Sequence, residues 1–221
     1  MLLADQSIRE YASRLASGDP APGGGSAAAL TGALGIALAH MVGSLSEGRA
    51  KYAEHADFIA GLLDKADTIL NKFLELVDED AVVFNEMSAA YRMPKATPEE
   101  KAARSGAIQE ALRACAVTPY KMMDLCMQSI DLTAQAIGKT NANVLSDLGV
   151  AALCLKAAVQ SAWINILINL AGIKDAAFAA EYRKKGEDIL TKALPMADDI
   201  YMAVKNAYGD DGVSVVVAAD A

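Results

Sequence analysis

Residues 51–95 read KYAEHADFIAGLLDKADTILNKFLELVDEDAVVFNEMSAAYRMPK, and the spacing of apolar side chains in this stretch decides the fold. Tyr52, Ala56, Ile59, Leu63, Ala66, Leu70, Phe73, Val77, Asp80, Phe84 and Met87 recur at alternating steps of four and three. That is the period of one helical face turned toward a core. The pattern predicts one long helix from about Ala50 to Tyr91, ended by Met93-Pro94-Lys95. Asp80 is the only charge on the seam, whereas the neighbouring Asp78 and Glu79 fall off it and read as solvated. A carboxylate between Val77 and Phe84 is costly unless paired, hydrogen-bonded or protonated. It is either a structural cap or ion-pair partner, or an acid or base.

Upstream, residues 20–26 read PAPGGGS and open an Ala/Leu/Gly-rich run through Ser46. Gly23, Gly24 and Gly25 admit close approach to backbone, and Ser26 is placed to cap the helix expected from Ser26 to Leu45. The free N–H groups of a helix start favour an anionic or electron-rich group. The turn is either a tight interhelical connection or a ligand cradle, being neither G-x-G-x-x-G nor a P-loop. Before it, a short helix around Ser7 to Ser17 carries Ile8, Tyr11 and Leu15 on one face, with Ser7 and Glu10 spaced as a capping box.

Downstream, Thr97-Pro98-Glu99-Glu100 supplies a cap, a first-turn proline and a third-position Glu. The helix it starts is expected to run to about Ile137, with a bend near Pro119 and a stop at Gly138. A loop through Asn141 and Asn143 leads to a helix from about Ser146 to Ala171, in which Asp147, Asn165 and Asn169 interrupt an apolar rod. These amides either bond to backbone or orient a small molecule in an apolar pocket. A last helix spans about Asp175 to Ala207. The expectation is an all-α, single-domain bundle of about six helices over residues 1–208. Residues 209–221, with the Val213 to Val217 run, form a tail.

Composition narrows the function. Of the 221 residues, 53% are hydrophobic and only 5% aromatic, which suits close-packed helices built from Ala, Leu, Val and Met. The net charge of −8, with no basic block, makes nucleic acid an unfavoured partner. Three scattered cysteines and the two histidines His40 and His55 supply a zinc site or a Ser-His-Asp triad poorly. No metal is expected, and His40 reads as structural. The N-terminus lacks a secretory pattern, so the cytoplasm is the expected location. Two apolar stretches, Ala27 to Ser46 and Leu148 to Ala171, are read as central helices or a subunit interface and not as membrane spans.

Taken in order, Pro22-Gly-Gly-Gly-Ser26, Lys51-Tyr52, Asp80 with Phe84, Met93-Pro94-Lys95, residues 141–150 (NANVLSDLGV) and residues 165–169 (NILIN) resemble the cyclodeaminase/cyclohydrolase family. That family comprises single-domain methenyltetrahydrofolate cyclohydrolases and the C-terminal domain of bifunctional formiminotransferase-cyclodeaminase. The resemblance covers roughly Ile8 to Tyr208. It implies a folate substrate, a homodimer or higher homo-oligomer, no added cofactor, and a pocket near the glycine turn. It further implies Asp80 as general base and later acid, Asp147 as its orienter or an alternate proton carrier, and Lys51 as a contact for the substrate's glutamate or an electrostatic neighbour of the proton carrier. Asn141, Asn143, Asn165 and Asn169 would bind the pterin edge, and Gly23, Gly24, Gly25 and Ser26 would admit the ring. Apart from the resemblance, Lys95 and Arg104, near the helix junction after the Pro94 stop, are either contacts for an anionic glutamate tail or simply solvated. Motifs alone do not separate hydrolysis of 5,10-methenyltetrahydrofolate from cyclodeamination of formiminotetrahydrofolate. The chain shows no formiminotransferase-like segment, which favours the hydrolase. A non-catalytic helical scaffold is the remaining alternative.

Overall fold

The structure is a computed structural model, and it describes residues 2–209. Six α-helices carry the chain: α1 (Ile8–Leu15), α2 (Gly24–Ser44), α3 (Ala56–Arg92), α4 (Pro98–Ala136), α5 (Leu145–Leu170) and α6 (Ala176–Ala207). No strand occurs among the described residues, so the all-α expectation holds. The tail expected over 209–221 lies, apart from Gly209, outside them. Helix starts follow the local signals. Ser7 and Glu10 close a capping box on α1, Thr97 and Glu100 close another on α4 with Pro98 in its first turn, and Asp175 caps α6. The turns before α3 and after α4 use Gly48 and Gly138 in the left-handed region, at φ 69° and 77°.

Three expectations are corrected. The long helix does not run unbroken from Ala50. Ala50–His55 form a 3-10 turn with Tyr52 outside helical geometry, because the buried Tyr52 ring turns inward and its hydroxyl accepts the Ala142 N–H at 3.3 Å. The buried stripe of α3 is Ile59, Leu62, Ala66, Ile69, Phe73, Leu76 and Val77, rotated from the expected seam so that Leu63 and Leu70 are flanking residues. Asp80 therefore sits at the margin of the stripe. On α1 only Tyr11 is buried, while Ile8 is 91% exposed, since two turns of helix offer a single anchoring position. Helix α4 passes through the buried Pro119 without a break.

Helices α2 and α5 lie side by side and antiparallel, flanked by α3 and α6, with α4 packed across the set. Small residues set their spacing. A Cβ on Gly32 would stand 2.5 Å from the Phe73 ring of α3, and one on Gly35 would stand 2.7 Å from Leu155 Cγ of α5. Ala28, Ala29, Ala33, Ile36 and Ala39 fill the rest of the α2 seam, each no more than 2% exposed. This close approach brings backbone of α2 within reach of side chains on both neighbours. Replacing Gly32 with Ala overpacks Phe73 and is expected to cost about 1–3 kcal/mol, read as a lower urea midpoint with an unchanged slope. An unchanged midpoint would show that Phe73 moves aside freely.

Candidate active site

The site forms where the first turn of α2 meets α3 and the end of α5. Gly23 is the extended N-cap of α2 and, lacking a side chain, caps nothing. Ser26 does not cap its own helix either: its hydroxyl donates to the Val77 carbonyl at 2.9 Å and accepts from the buried Tyr11 hydroxyl at 3.2 Å. The free N–H of Ser26 donates instead to Asp80 Oδ2 at 2.8 Å. A carboxylate from α3 thus meets the positive end of α2. Gly25 makes the contact sterically possible, because a Cβ there would collide with the Asp80 carboxylate.

Burial pushes the Asp80 carboxyl above the ordinary aspartate range, against the Ser26 hydrogen bond, and the charge of Glu79 adds to the rise. Its hydrogen bond engages only Oδ2. No buried side-chain oxygen among the described residues lacks a partner, so Oδ1 is left to solvent or a ligand. Among the described residues, no Lys or Arg forms an ion pair with Asp80. Asp78 and Glu79, expected to be solvated, are both tied. Asp78 accepts from the Leu3 and Ala4 N–H groups, while Glu79 accepts from Thr118 at 2.7 Å and from Lys121 at 2.8 Å. Burial raises the Glu79 carboxyl, but those two hydrogen bonds and the ammonium's charge outweigh it and leave it below the usual range. Two adjacent carboxyls on one helix are therefore tuned in opposite directions.

From α5, the Asn165 side chain lies against Gly24 and donates to Ser161 O at 2.8 Å. Asn169 donates to Asn165 O at 2.7 Å and, across to α4, to Cys115 O at 3.0 Å. Burial, with the charges of Asp80 and Glu86, raises the Cys115 thiol to about 11, so it stays protonated. Tyr11, likewise raised by burial with Asp80's charge adding, stays a hydroxyl. Asp80 is thus the carboxyl of this cluster that burial favours in its protonated form.

The remaining expected residues gather at the opposite end of α2. Ser46 accepts the Asn141 N–H at 2.7 Å, Asn141 Nδ2 donates to Leu45 O at 3.3 Å, and Asn141 Oδ1 receives the Asn143 N–H at 3.1 Å. Lys51 is exposed in the 3-10 turn beside Tyr52, and Asp147 lies in the first turn of α5. Helix α2 has 21 residues, so the two ends are roughly 30 Å apart. One chain brings Gly23, Gly24, Gly25, Ser26, Asp80, Asn165 and Asn169 together. It does not bring Lys51, Asn141, Asn143 or Asp147 to them. Arg104 is spent on the Tyr91 carbonyl at 3.0 Å, closing the end of α3, and Lys95 is exposed. Tyr11 escaped the sequence reading as a polar group because an i, i+4 apolar face conceals which hydroxyl finds a partner. Among the described residues, no three His, Cys, Asp or Glu side chains converge as a metal-binding group.

Comparison with known proteins agrees with this arrangement of elements. The family model described as formiminotransferase-cyclodeaminase matches residues 7–188. A methenyltetrahydrofolate cyclohydrolase of Methylorubrum extorquens is 38% identical over 205 residues, 93% of this chain and 99% of that protein. A formimidoyltransferase-cyclodeaminase of Rattus norvegicus is 35% identical over 195 residues, 88% of this chain but only 36% of that longer protein. The crystal structure of a formiminotetrahydrofolate cyclodeaminase from Thermotoga maritima superposes with a TM-score of 0.83 at 22% identity, covering 91% of this chain and 97% of that one, and it shares the fold. The chain belongs to the formiminotransferase-cyclodeaminase family.

The raised Asp80 carboxyl has a consequence for stability. Its contribution is present while it is protonated and is lost as pH rises through its elevated folded value. Asp80→Asn retains an acceptor for the Ser26 N–H and removes that loss. The variant is expected to melt higher than wild type at pH 7, with the gain shrinking as pH falls below the ordinary aspartate value of about 3.9. Thermal melts across pH check this, and a gain that grows in acid would contradict the assignment.

Proposed function

We propose that the protein hydrolyses 5,10-methenyltetrahydrofolate to 10-formyltetrahydrofolate, as a homodimer or higher homo-oligomer in the cytoplasm, without an added cofactor. The observation that carries this reading is Asp80: a single carboxyl, raised by burial, bound through one oxygen to the start of α2 and with the other oxygen open. The cyclohydrolase from Methylorubrum supports the reaction by matching this chain along almost its whole length. The unpaired Cys115, Cys126 and Cys154 suit a reducing compartment.

The chemistry asks little of the protein. The bridging carbon between N5 and N10 is cationic and electrophilic when it arrives. Water adds to it while Asp80 takes a proton, giving a tetrahedral hydroxyl adduct. The carbon–N5 bond then breaks, Asp80 returns its proton to N5, and the hydroxyl proton leaves to solvent as the formyl carbonyl forms. One proton is released per turnover, and Asp80 ends as it began. Gly24 lets the substrate ring approach the α2 backbone, and Asn165 and Asn169 offer amide groups to the pterin edge. Electrophilicity belongs to the substrate, so one base and its positioning suffice.

The rat relative favours a second reading, cyclodeamination of formiminotetrahydrofolate. There N10 attacks the formimino carbon and gives up its proton to the imino nitrogen, and protonated Asp80 supplies a second proton to that nitrogen. The carbon–nitrogen bond breaks to release ammonia and leave the cationic methenyl bridge, Asp80 then regaining its proton from solvent. Both reactions pass through a tetrahedral carbon held between N5 and N10.

Loss of near-ultraviolet absorbance from methenyltetrahydrofolate, measured where uncatalysed hydrolysis is slow, decides between them. Wild type is expected to accelerate the decay, and Asp80→Asn to reduce kcat by about 10²–10⁴-fold while remaining folded. In wild type, kcat/KM is expected to rise with pH through an inflection above the ordinary aspartate value, as the base is unmasked. Buffer-level decay with both proteins, together with ammonia release from formiminotetrahydrofolate, would establish the second reading instead.

A further inference from the structure

Helix α1 has a single buried residue, Tyr11, and its hydroxyl ends inside the candidate site. A phenylalanine would fill nearly the same volume, whereas a buried hydroxyl is costly unless it is bonded. Tyr11 is 7% exposed and bonds to Ser26 Oγ at 3.2 Å; Ser26 itself is fully buried. What lies beyond Ser26 fixes the direction of that bond. Ser26 Oγ is 2.9 Å from the Val77 carbonyl oxygen, which can only accept, so the one Ser26 hydroxyl hydrogen points there. The Ser26 oxygen is then an acceptor toward Tyr11, and the Tyr11 proton is committed to it.

Ser26 therefore holds α3 at two points. Its hydroxyl engages Val77 and its N–H engages Asp80 Oδ2 at 2.8 Å, and these residues stand three apart on one side of the helix. Tyr11 adds a third bond to the same serine. The segment that carries Tyr11 is itself fastened two residues from Asp80, where Asp78 accepts the Leu3 and Ala4 N–H groups. Without the Tyr11 hydroxyl, the Ser26 oxygen keeps one bond and its remaining acceptor site faces a dry core. The serine is then held less firmly, and with it the N–H aimed at Asp80.

Few charges bear on Asp80 at this corner. Among the described residues, Glu79 acts on it along α3, while Tyr11 of α1 and Cys115 of α4 feel its charge; Glu86 of α3 bears on the same thiol. Helix α2 contains no Asp, Glu, Lys or Arg, and α5 presents the neutral amides of Asn165 and Asn169 at this end.

We propose that Tyr11 is a positioning residue for the proton-transfer step: through the Ser26 hydroxyl it holds the Ser26 N–H on Asp80 and keeps that carboxylate available as the base. The proposal rests on the folate reading above for the reaction, but not for the positioning. Its sign follows from the bond. The Ser26 N–H favours the Asp80 anion, so a looser N–H leaves the carboxyl protonated to higher pH.

A carboxyl titration tests the positioning without substrate. In protein labelled with carbon-13 at its aspartate carboxyls, the Asp80 resonance is the one missing from Asp80→Asn. Tyr11→Phe, which keeps the ring and its packing, is expected to move the Asp80 midpoint to higher pH, and Ser26→Ala to move it the same way. Adding Tyr11→Phe to Ser26→Ala is expected to move it no further, because the hydroxyl link is already cut. A residue that only fills the core would lower the urea midpoint and leave the carboxyl midpoint in place. Kinetics then test the reaction. With methenyltetrahydrofolate, kcat/KM of Tyr11→Phe is expected to fall severalfold on the acid limb of the pH profile and to approach wild type on the plateau. In an Asp80→Asn background, Tyr11→Phe is expected to have no further effect on the rate. An Asp80 midpoint that stays in place or falls in Tyr11→Phe, an equal shift on the Ser26→Ala background, or a uniform loss of rate at every pH would each overturn the proposal and leave the folate activity standing. An upward carboxyl shift in a protein that leaves methenyltetrahydrofolate at buffer-level decay would support the positioning and sink the folate reading.

Discussion

The contact between the first turn of α2 and Asp80 of α3 governs the rest of the arrangement. A helix start presents N–H groups with no partner in their own helix, and in α2 no side chain of the same segment satisfies them. Asp80 does so from the neighbouring helix, through the Ser26 N–H. The approach requires Gly25 beneath the carboxylate and small residues along the α2 seam, so the helix is built of Gly and Ala for steric reasons. The same small residues admit Leu155 from the other side, which fixes α5 and with it Asn165 and Asn169.

That contact sets structure and chemistry in opposition. Burial penalises the Asp80 anion, while the Ser26 hydrogen bond favours it; burial prevails and the carboxyl is raised. Next to it, Glu79 has the same kind of side chain but receives donors from Thr118 and Lys121, and it is lowered. The difference arises from what α4 offers to one position of α3 and withholds from the next. A carboxyl held at a helix start and denied a cation is poorly used as a pure stabiliser, but is well disposed to exchange a proton.

The N-terminal segment serves as a strap for this corner. Leu3 and Ala4 donate to Asp78, and Tyr11 donates to Ser26, so two points of the first eleven residues are fastened to either side of the α2–α3 contact. Helix α1 is short and contributes little core, with Tyr11 as its single buried residue. Its role is positional: it closes the hydroxyl network behind Ser26 and leaves the serine N–H aimed at Asp80.

Much of this was legible in the chain. The four-and-three spacing, the two capping boxes and the glycine and proline stops are local, and local signals act through backbone geometry and short-range hydrogen bonds. They placed the helix ends within about two residues of those observed, except the start of α3, which was expected at Ala50 and lies at Ala56. Asp80 stood out because an apolar stripe makes any charge conspicuous, even though the stripe itself proved to be rotated by about one position. What the sequence did not contain was the partner of each polar group. Ser26 looked like its own helix cap and is held by Val77 and Tyr11; Asp78 and Glu79 looked solvated and are bonded to α1's approach and to α4. The expected helix from Ser146 to Ala171 already set Asp147 and Asn165 about 27 Å apart, but order along the chain did not reveal that Asn165 lies against Gly24 at the start of α2. Periodicity is carried by neighbours three and four residues apart, so the sequence alone determined which segments are helices and which faces are apolar. Pairings across tens of residues depend on how those helices pack, so only the tertiary structure decided which charges meet and how far apart the two ends lie.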